Sequence, residues 1–218
     1  MTASENLLIA IDGPAASGKG TLARKLADIL HLRYLDTGSL YRATGVSVLR
    51  AQADPTDEAA AVKAAENLDL SQFTPEDLRT EEAGVAASHV AFLPSVRAVL
   101  LDLQRTVADQ PGPAFKGAIL DGRDIGTVVC PDAPVKIFVT ADLEMRIKRR
   151  LQELKDRGET VIEARVRADM TARDQRDRDR SVAPLKPAED AWLLDTTDMN
   201  ADEALAAALD HIRGTGPH

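Results

Sequence analysis

"LLIAIDGPAASGKGTLARKLADIL", Leu7 to Leu30, is the stretch on which the fold turns. Its first five residues form an apolar run too short for a helix and halted by Asp12 and Gly13, as in a buried strand that ends in a loop. Gly13, four further residues, Gly18 and Lys19 then give the spacing of a phosphate-cradling loop. Glycines there let backbone N–H groups converge on phosphate oxygens. A helix beginning near Gly18 adds the positive end of its dipole, and Lys19 reaches the β- and γ-phosphates. The expected triphosphate contacts are therefore Gly13, Pro14, Ala15, Ala16, Ser17, Gly18, Lys19, Gly20 and Thr21. Gly20 stands where such loops usually carry Ser or Thr, and the hydroxyl comes one place later, at Thr21.

Outward from this unit, short apolar runs recur at "RYLD" ending at Asp36, "AIL" at Ala118 to Leu120, "VKIFV" at Val135 to Val139 and "WLL" at Trp192 to Leu194. Amphipathic helical stretches lie between them. That alternation predicts an α/β protein of the P-loop NTP hydrolase-like, three-layer kind: a five-stranded parallel sheet with helices on both faces. The spacing is uneven. About eighty residues separate Asp36 from Ala118 and about fifty separate Val139 from Trp192, far more than a crossover helix needs. The core is then residues 1–36, 118–144 and 181–218, with insertions at 37–117 and 145–180. The first insertion carries an acidic, helix-prone segment, Asp54 to Gly84, with Pro55 and Pro75 at expected helix starts. The second holds, from Met145 to Arg180, twelve Lys or Arg against eight Asp or Glu, a net of +4 in a chain of formal net charge −8.

Composition narrows the function. The chain has 218 residues, 44% hydrophobic, enough for one sizeable core with insertions. Aromatic residues make up only 3%, and with the negative net charge they argue against a nucleic-acid polymer as partner. The single Cys130 cannot form an intramolecular disulfide and reads as a buried small hydrophobe. The four histidines show no metal-ligand spacing. The N-terminus has no positive n-region, and no apolar stretch approaches the ~18 residues that cross a bilayer, so the expectation is a cytoplasmic protein with no membrane contact.

The GKGT form of the loop, Gly18 to Thr21, resembles the nucleoside monophosphate kinases. That resemblance implies ATP on the loop and Mg²⁺ held largely through water, beside Thr21 and a strand-end acid. Asp121 of "AILDGRD" takes the acid's place, although it also fits a plain strand cap. No guanine-reading Asn/Thr-Lys-x-Asp motif occurs. In "YLDTGSLYRA", Tyr34 to Ala43, small residues precede a helix that displays Tyr41 and Arg42, a second candidate anion pocket.

"LDTGSLYR", "AASHVAFLPSVR", "DGRDIGTVVCPDAPVKIFV" and "RDQRDRDRSVAPL" follow in order and, with the loop, resemble the bacterial cytidylate kinase family over Gly13 to Leu185. The resemblance implies phosphoryl transfer from ATP to CMP or dCMP, with 37–117 binding the nucleoside monophosphate and 145–180 acting as a short lid; the expected state is a monomer. Cytosine offers an amino donor beside two acceptors, so its reader needs a carboxylate and donors. By resemblance these are Asp124, Arg97 and Ser88; read without it, Ser88 and Arg97 are a helix-surface pair. Thr37, Tyr41 and Arg42 match the family's monophosphate and sugar binders. Arg42 supplies a cationic fork, and Tyr41 reads equally well as a packing residue. Arg123, beside Asp121, faces phosphate. The family usually carries a longer insertion with β-strands; here "NLDLSQFTPEDLRTEEAG" is short and shows no strand alternation.

Phosphoryl transfer also needs mobile positive charge that closes over the substrates. In "LEMRIKRRLQELKDRG", Leu143, Ile147, Leu151 and Leu154 form an apolar stripe, with Gly158 as a C-cap. Arg146, Arg150 and Arg157 lie on a neighbouring face and are either solvated or part of the lid; Arg149 and Arg150 are the better ATP-binding candidates. In "RDQRDRDRS", Arg173 to Ser181, a helical turn of about 100° per residue puts Arg173, Arg176, Asp177 and Arg180 on one face. Asp174, Arg178 and Asp179 fall on the rest and are expected to face water or to tune the electrostatics. The resemblance implies Arg173 and Arg180 near the acceptor's phosphate and ribose, Asp177 on a sugar hydroxyl and Arg176 toward the triphosphate. The acceptor phosphate is already anionic, so no general base is needed, and the catalytic set is Lys19, Arg123, Arg176 and Arg180. The rival readings are a uridylate or adenylate kinase, and a nucleotide sensor that would need no second anion pocket.

Overall fold

In the computed structural model, which describes residues 6–215, β1 (Leu7–Asp12) feeds α1 (Lys19–Leu30) through the glycine loop. β2 (Arg33–Asp36) is followed by α2 (Thr37–Arg50), α3 (Glu58–Glu66), α4 (Pro75–Arg79), α5 (Glu81–Val90) and α6 (Pro94–Asp109). Then come β3 (Gly117–Gly122), β4 (Val135–Thr140), α7 (Leu143–Asp156), α8 (Glu163–Asp179), β5 (Trp192–Asp195) and α9 (Ala201–Thr215). The five expected strands form one sheet in the order β2-β3-β1-β4-β5. β1 pairs in parallel with β3 and β4, and β4 with β5. With β1 in the middle, the register sets Ile11 opposite Asp121 and Asp12 opposite Gly122. The glycine loop and the "DGRD" segment therefore leave the same end of the sheet side by side, where ligands bind in open α/β sheets.

The chain divides into two compact units, Leu35–Val107 and the remainder. In the larger unit Ile9, Ile11, Ile119 and Ile137 are at most 1% exposed and pack with Leu22, Leu26, Leu194 and Ala208. Each such burial is worth about 1.5–3 kcal/mol, which fixes α1, and with it the glycine loop, to the sheet. The smaller unit has its own core of Leu40, Val48, Ala61, Val90, Val96 and Leu100. It is helical after β2, as the missing strand alternation implies.

Pro75 opens α4 at a capping box made by Thr74 and Asp77. Pro55 opens no helix. Asp54 accepts from Thr56 N at 2.8 Å and holds a turn there, and α3 starts later, capped by Asp57. Among the described residues no single helix is long and apolar enough to cross a membrane; α5 and α6 reach that length only together, across a 102° bend.

Candidate active site

The loop after β1 is shaped by close approach. A Cβ on Gly13 (φ 151°) would lie 2.0 Å from the Val139 carbonyl oxygen, so only glycine fits. Ala16 (φ 58°) and Gly18 (φ 89°) take left-handed conformations, the kind of backbone from which anion-binding N–H nests are built. Gly18 brings no side chain to cap α1, whose N-terminal N–H groups thus belong to the cradle. Lys19 Nζ stands 3.7 Å from Asp121 Oδ1, and Tyr34 OH donates to Asp121 Oδ2 at 3.3 Å. A Cβ on Gly20 would come within 3.0 Å of that same oxygen. Glycine in place of the usual Ser or Thr is what lets the carboxylate reach the loop.

Asp121 and Thr21 supply one carboxylate and one hydroxyl, and among the described residues no group of three or more His, Cys, Asp and Glu gathers. So sparse a donor set suits Mg²⁺, which keeps several waters and takes substrate phosphates as ligands. A cavity of about 390 Å³ opens beside the loop, lined by Ala16, Thr21, Val139, Arg149, Thr196 and Met199 among others. Arg149 donates to Thr196 Oγ1 at 2.9 Å and to the Ser17 carbonyl at 3.4 Å, and is built into the cavity wall. Thr196, 4% exposed, is within 2.9 Å of the same Ser17 carbonyl. Sequence reading missed it, since a Thr after a strand gives no signal of its own. Arg150 is half-buried and pairs with Glu153 at 2.9 Å.

Asp177, 1% exposed, gathers the arginines of the same unit. Arg123 Nε donates to its Oδ2 at 3.0 Å, and Arg180 pairs with Oδ1. Burial pushes the Asp177 carboxyl up, but the guanidiniums of Arg123, Arg180 and Arg173 outweigh it and hold the pKa below the usual carboxylate value. Arg180 is not on the helix: α8 ends at Asp179 and Arg180 continues at φ −55°, ψ 130°. The Asp177 ion pair, rather than helical phase, puts it with the others. Arg173 and Arg176 are half-buried on α8.

Asp174 corrects an expectation. Instead of facing water it is 3% exposed, and its Oδ2 accepts from Arg146 Nη2 at 2.7 Å. Arg146 is equally buried and also donates to the Ala141 carbonyl at 3.0 Å and the Ala15 carbonyl at 3.3 Å. The charge on each side hid a core pair from a reading based on polarity; Arg178 and Asp179 are exposed as expected.

In the smaller unit Thr37 opens α2 and is buried, and Arg42 lies 3.9 Å from Asp36. The Arg97 guanidinium stands 5.6 Å from the Tyr41 ring centroid. Ser88 and Arg97 are 5% and 8% exposed, which removes the helix-surface reading for both. Asp124 belongs to the larger unit, 5% exposed at the head of a π-helical turn, Ile125–Val129. Asp12, read in the sequence only as a residue that halts the first strand, has more partners than that. It is buried, accepts from Ile125 N at 2.7 Å and Gly126 N at 2.8 Å, and its pKa is raised to about 7 by burial, which outweighs those two bonds.

A central parallel strand, a glycine loop leading into the head of a helix and a lysine beside a strand-end acid define a P-loop protein that binds nucleotide phosphates. Within that class the chain belongs to the cytidylate kinase family, whose model matches residues 9–214. It is 58% identical over 202 residues to a cytidylate kinase of Paramagnetospirillum magneticum, spanning 93% of this chain and 95% of the relative. It is 56% identical over 211 residues to one of Granulibacter bethesdensis, spanning 97% and 99%. Matches this complete mean that these relatives carry no long insertion that this chain lacks. Solved structures share the fold at low identity: an uncharacterized protein from Eubacterium ventriosum (15% identical, TM-score 0.58, 96% and 99% covered) and a sugar kinase from Janibacter sp. (14%, 0.50, 98% and 99%).

Proposed function

We propose that the protein transfers the γ-phosphoryl group of ATP to CMP or dCMP, giving CDP or dCDP. The observation that carries this reading is the Arg123–Asp177–Arg180 cluster standing on the same unit as the Lys19–Asp121 loop, in a chain of the cytidylate kinase family. ATP lies with its phosphates on Gly13–Thr21 and its base in the cavity beside Arg149, and Arg150 also takes part in holding it. Lys19, Arg123, Arg176 and Arg180 neutralise the charge that spreads over the transferring group. Asp121 and Thr21 would hold Mg²⁺ through water, and the ion would supply further neutralisation of the β- and γ-phosphates.

On the acceptor side, Thr37, Tyr41 and Arg42 take the monophosphate and sugar. Ser88, Arg97 and Asp124 read cytosine, and Arg173, Asp177 and Arg180 meet the phosphate and ribose. The segment 37–117 serves as the monophosphate-binding insertion and 145–180 as the lid. Both substrates are soluble nucleotides, and we place the reaction in the cytoplasm and within a single chain. An ADP-release assay over CMP, dCMP, UMP and AMP tests the whole reading. CMP and dCMP are the expected acceptors; no turnover with any acceptor refutes the kinase, and a preference for UMP refutes the role of Asp124. For Asp124→Asn the CMP/UMP ratio of kcat/KM falls by about tenfold or more, the size of one buried hydrogen-bond mismatch.

A further inference from the structure

We propose that Asp12 is a positioning residue for base selectivity: its carboxylate clamps the turn that carries Asp124, and it acts on the acceptor base only through Asp124. The proposal rests on the reading of Asp124 as the cytosine reader. Asp12 closes β1 and is 5% exposed. Its two oxygens accept, one each, from Ile125 N at 2.7 Å and Gly126 N at 2.8 Å, the two N–H groups that follow Asp124. The Asp124 carbonyl accepts in turn from Val128 N at 2.9 Å and Val129 N at 3.2 Å. Both polar groups of the peptide unit joining Asp124 to Ile125 are thus tied, the N–H by Asp12 and the C=O by the turn itself.

Gly126 itself lies against the carboxylate: a Cβ there would stand 3.5 Å from Asp12 Oδ2, an ordinary van der Waals contact, and 3.2 Å from Cδ of the flexible Lys136 side chain. Asp12 also directly precedes Gly13, so a merely structural role would disturb the phosphate loop and ATP binding as much as the acceptor base. A positioning role separates the two. Asp12→Asn keeps the shape but turns an amide N–H₂ toward one of the two backbone donors, which breaks half the clamp.

The test uses the full chain as wild type, Asp12→Asn, Asp124→Asn, the double variant and Asp12→Glu, with kcat and KM for CMP, UMP and ATP. Asp12→Asn should raise KM for CMP and lower the CMP/UMP ratio of kcat/KM by about tenfold, with KM for ATP within about twofold of wild type. In the Asp124→Asn background the same change should leave the ratio where it is, because the two residues act in series. A ratio unchanged by Asp12→Asn but lowered by Asp124→Asn overturns the proposal and spares the base-reading assignment, and so does a second, additive fall in the double variant. A ratio unchanged by Asp124→Asn refutes the base-reading assignment and this proposal with it. Asp12→Glu keeps the charge but carries the carboxylate one methylene further, out of register with the two N–H groups, so the ratio should fall there too. It decides the matter if thermal unfolding shows that Asp12→Asn does not fold, and a wild-type ratio in Asp12→Glu then overturns the clamp.

Discussion

One hydrogen atom at position 20 separates Asp121 from a steric conflict. Because a methyl group there would meet Asp121 Oδ2 at 3.0 Å, Gly20→Ala must push the carboxylate away from Lys19. Gly20 is also the second residue of α1, where Ala is favoured over Gly by up to about 1 kcal/mol. Stability and activity should therefore move in opposite directions. The melting temperature is expected to hold or rise, while turnover falls by about tenfold, roughly 1.4 kcal/mol in the barrier. Calorimetry beside an ADP-release assay checks both, and wild-type turnover would show that the approach of Asp121 to the loop has no catalytic consequence. The substitution of Gly for the usual Ser or Thr was visible in the sequence, but its reason was not: the reason lies in a residue about one hundred positions away, brought close by strand register.

Between α7 and α8 the decisive contact is a charge pair in the interior. The Arg146 and Asp174 side chains are 5% and 4% exposed, and Arg146 carries the link on to the Ala15 carbonyl of the phosphate loop. Desolvation makes such a pair a weak net contributor, yet removing one partner leaves a buried charge unanswered and costs about 3–5 kcal/mol. Asp174→Ala should lose that much by urea unfolding, whereas Arg146→Met with Asp174→Leu should lose far less than the sum of the single changes. Additive losses would mean that the two side chains do not stabilise each other. Helical phase alone assigned Asp174 to the solvent side of "RDQRDRDRS" because it counts polarity and angle but not the neighbouring helix. The same phase carried the helix one residue too far, to Arg180, where the chain has already turned out of α8 and the Asp177 carboxylate does the gathering.

At the scale of the whole molecule, the strands, their parallel pairing and the glycine loop were legible because each depends on a short run of residues. Strand order and the tie from Asp12 to the turn after Asp124 were not, since they depend on which runs become neighbours. The burial of Asp12 has a consequence for global stability. The Asp12 pKa rises from an ordinary 3.8 to about 7 on folding, so between those values the folded chain binds a proton that the unfolded chain has already released. The resulting stabilisation is complete below 3.8 and is lost as pH rises toward 7. His211, stacked on Trp192 with ring centroids 4.4 Å apart, works against it: desolvation lowers its pKa below 6.5, so acidification protonates the unfolded chain first and weakens the fold. The two effects overlap in wild-type protein, and variants separate them. Going from about pH 7.5 to about pH 5, wild type should gain on the order of 2–3 kcal/mol relative to Asp12→Asn in urea unfolding, and His211→Gln should gain more than wild type. A wild-type advantage that is flat or shrinks over the same interval would mean that the two N–H bonds to Asp12 outweigh its burial, with the carboxylate ionised in the native fold across the whole range.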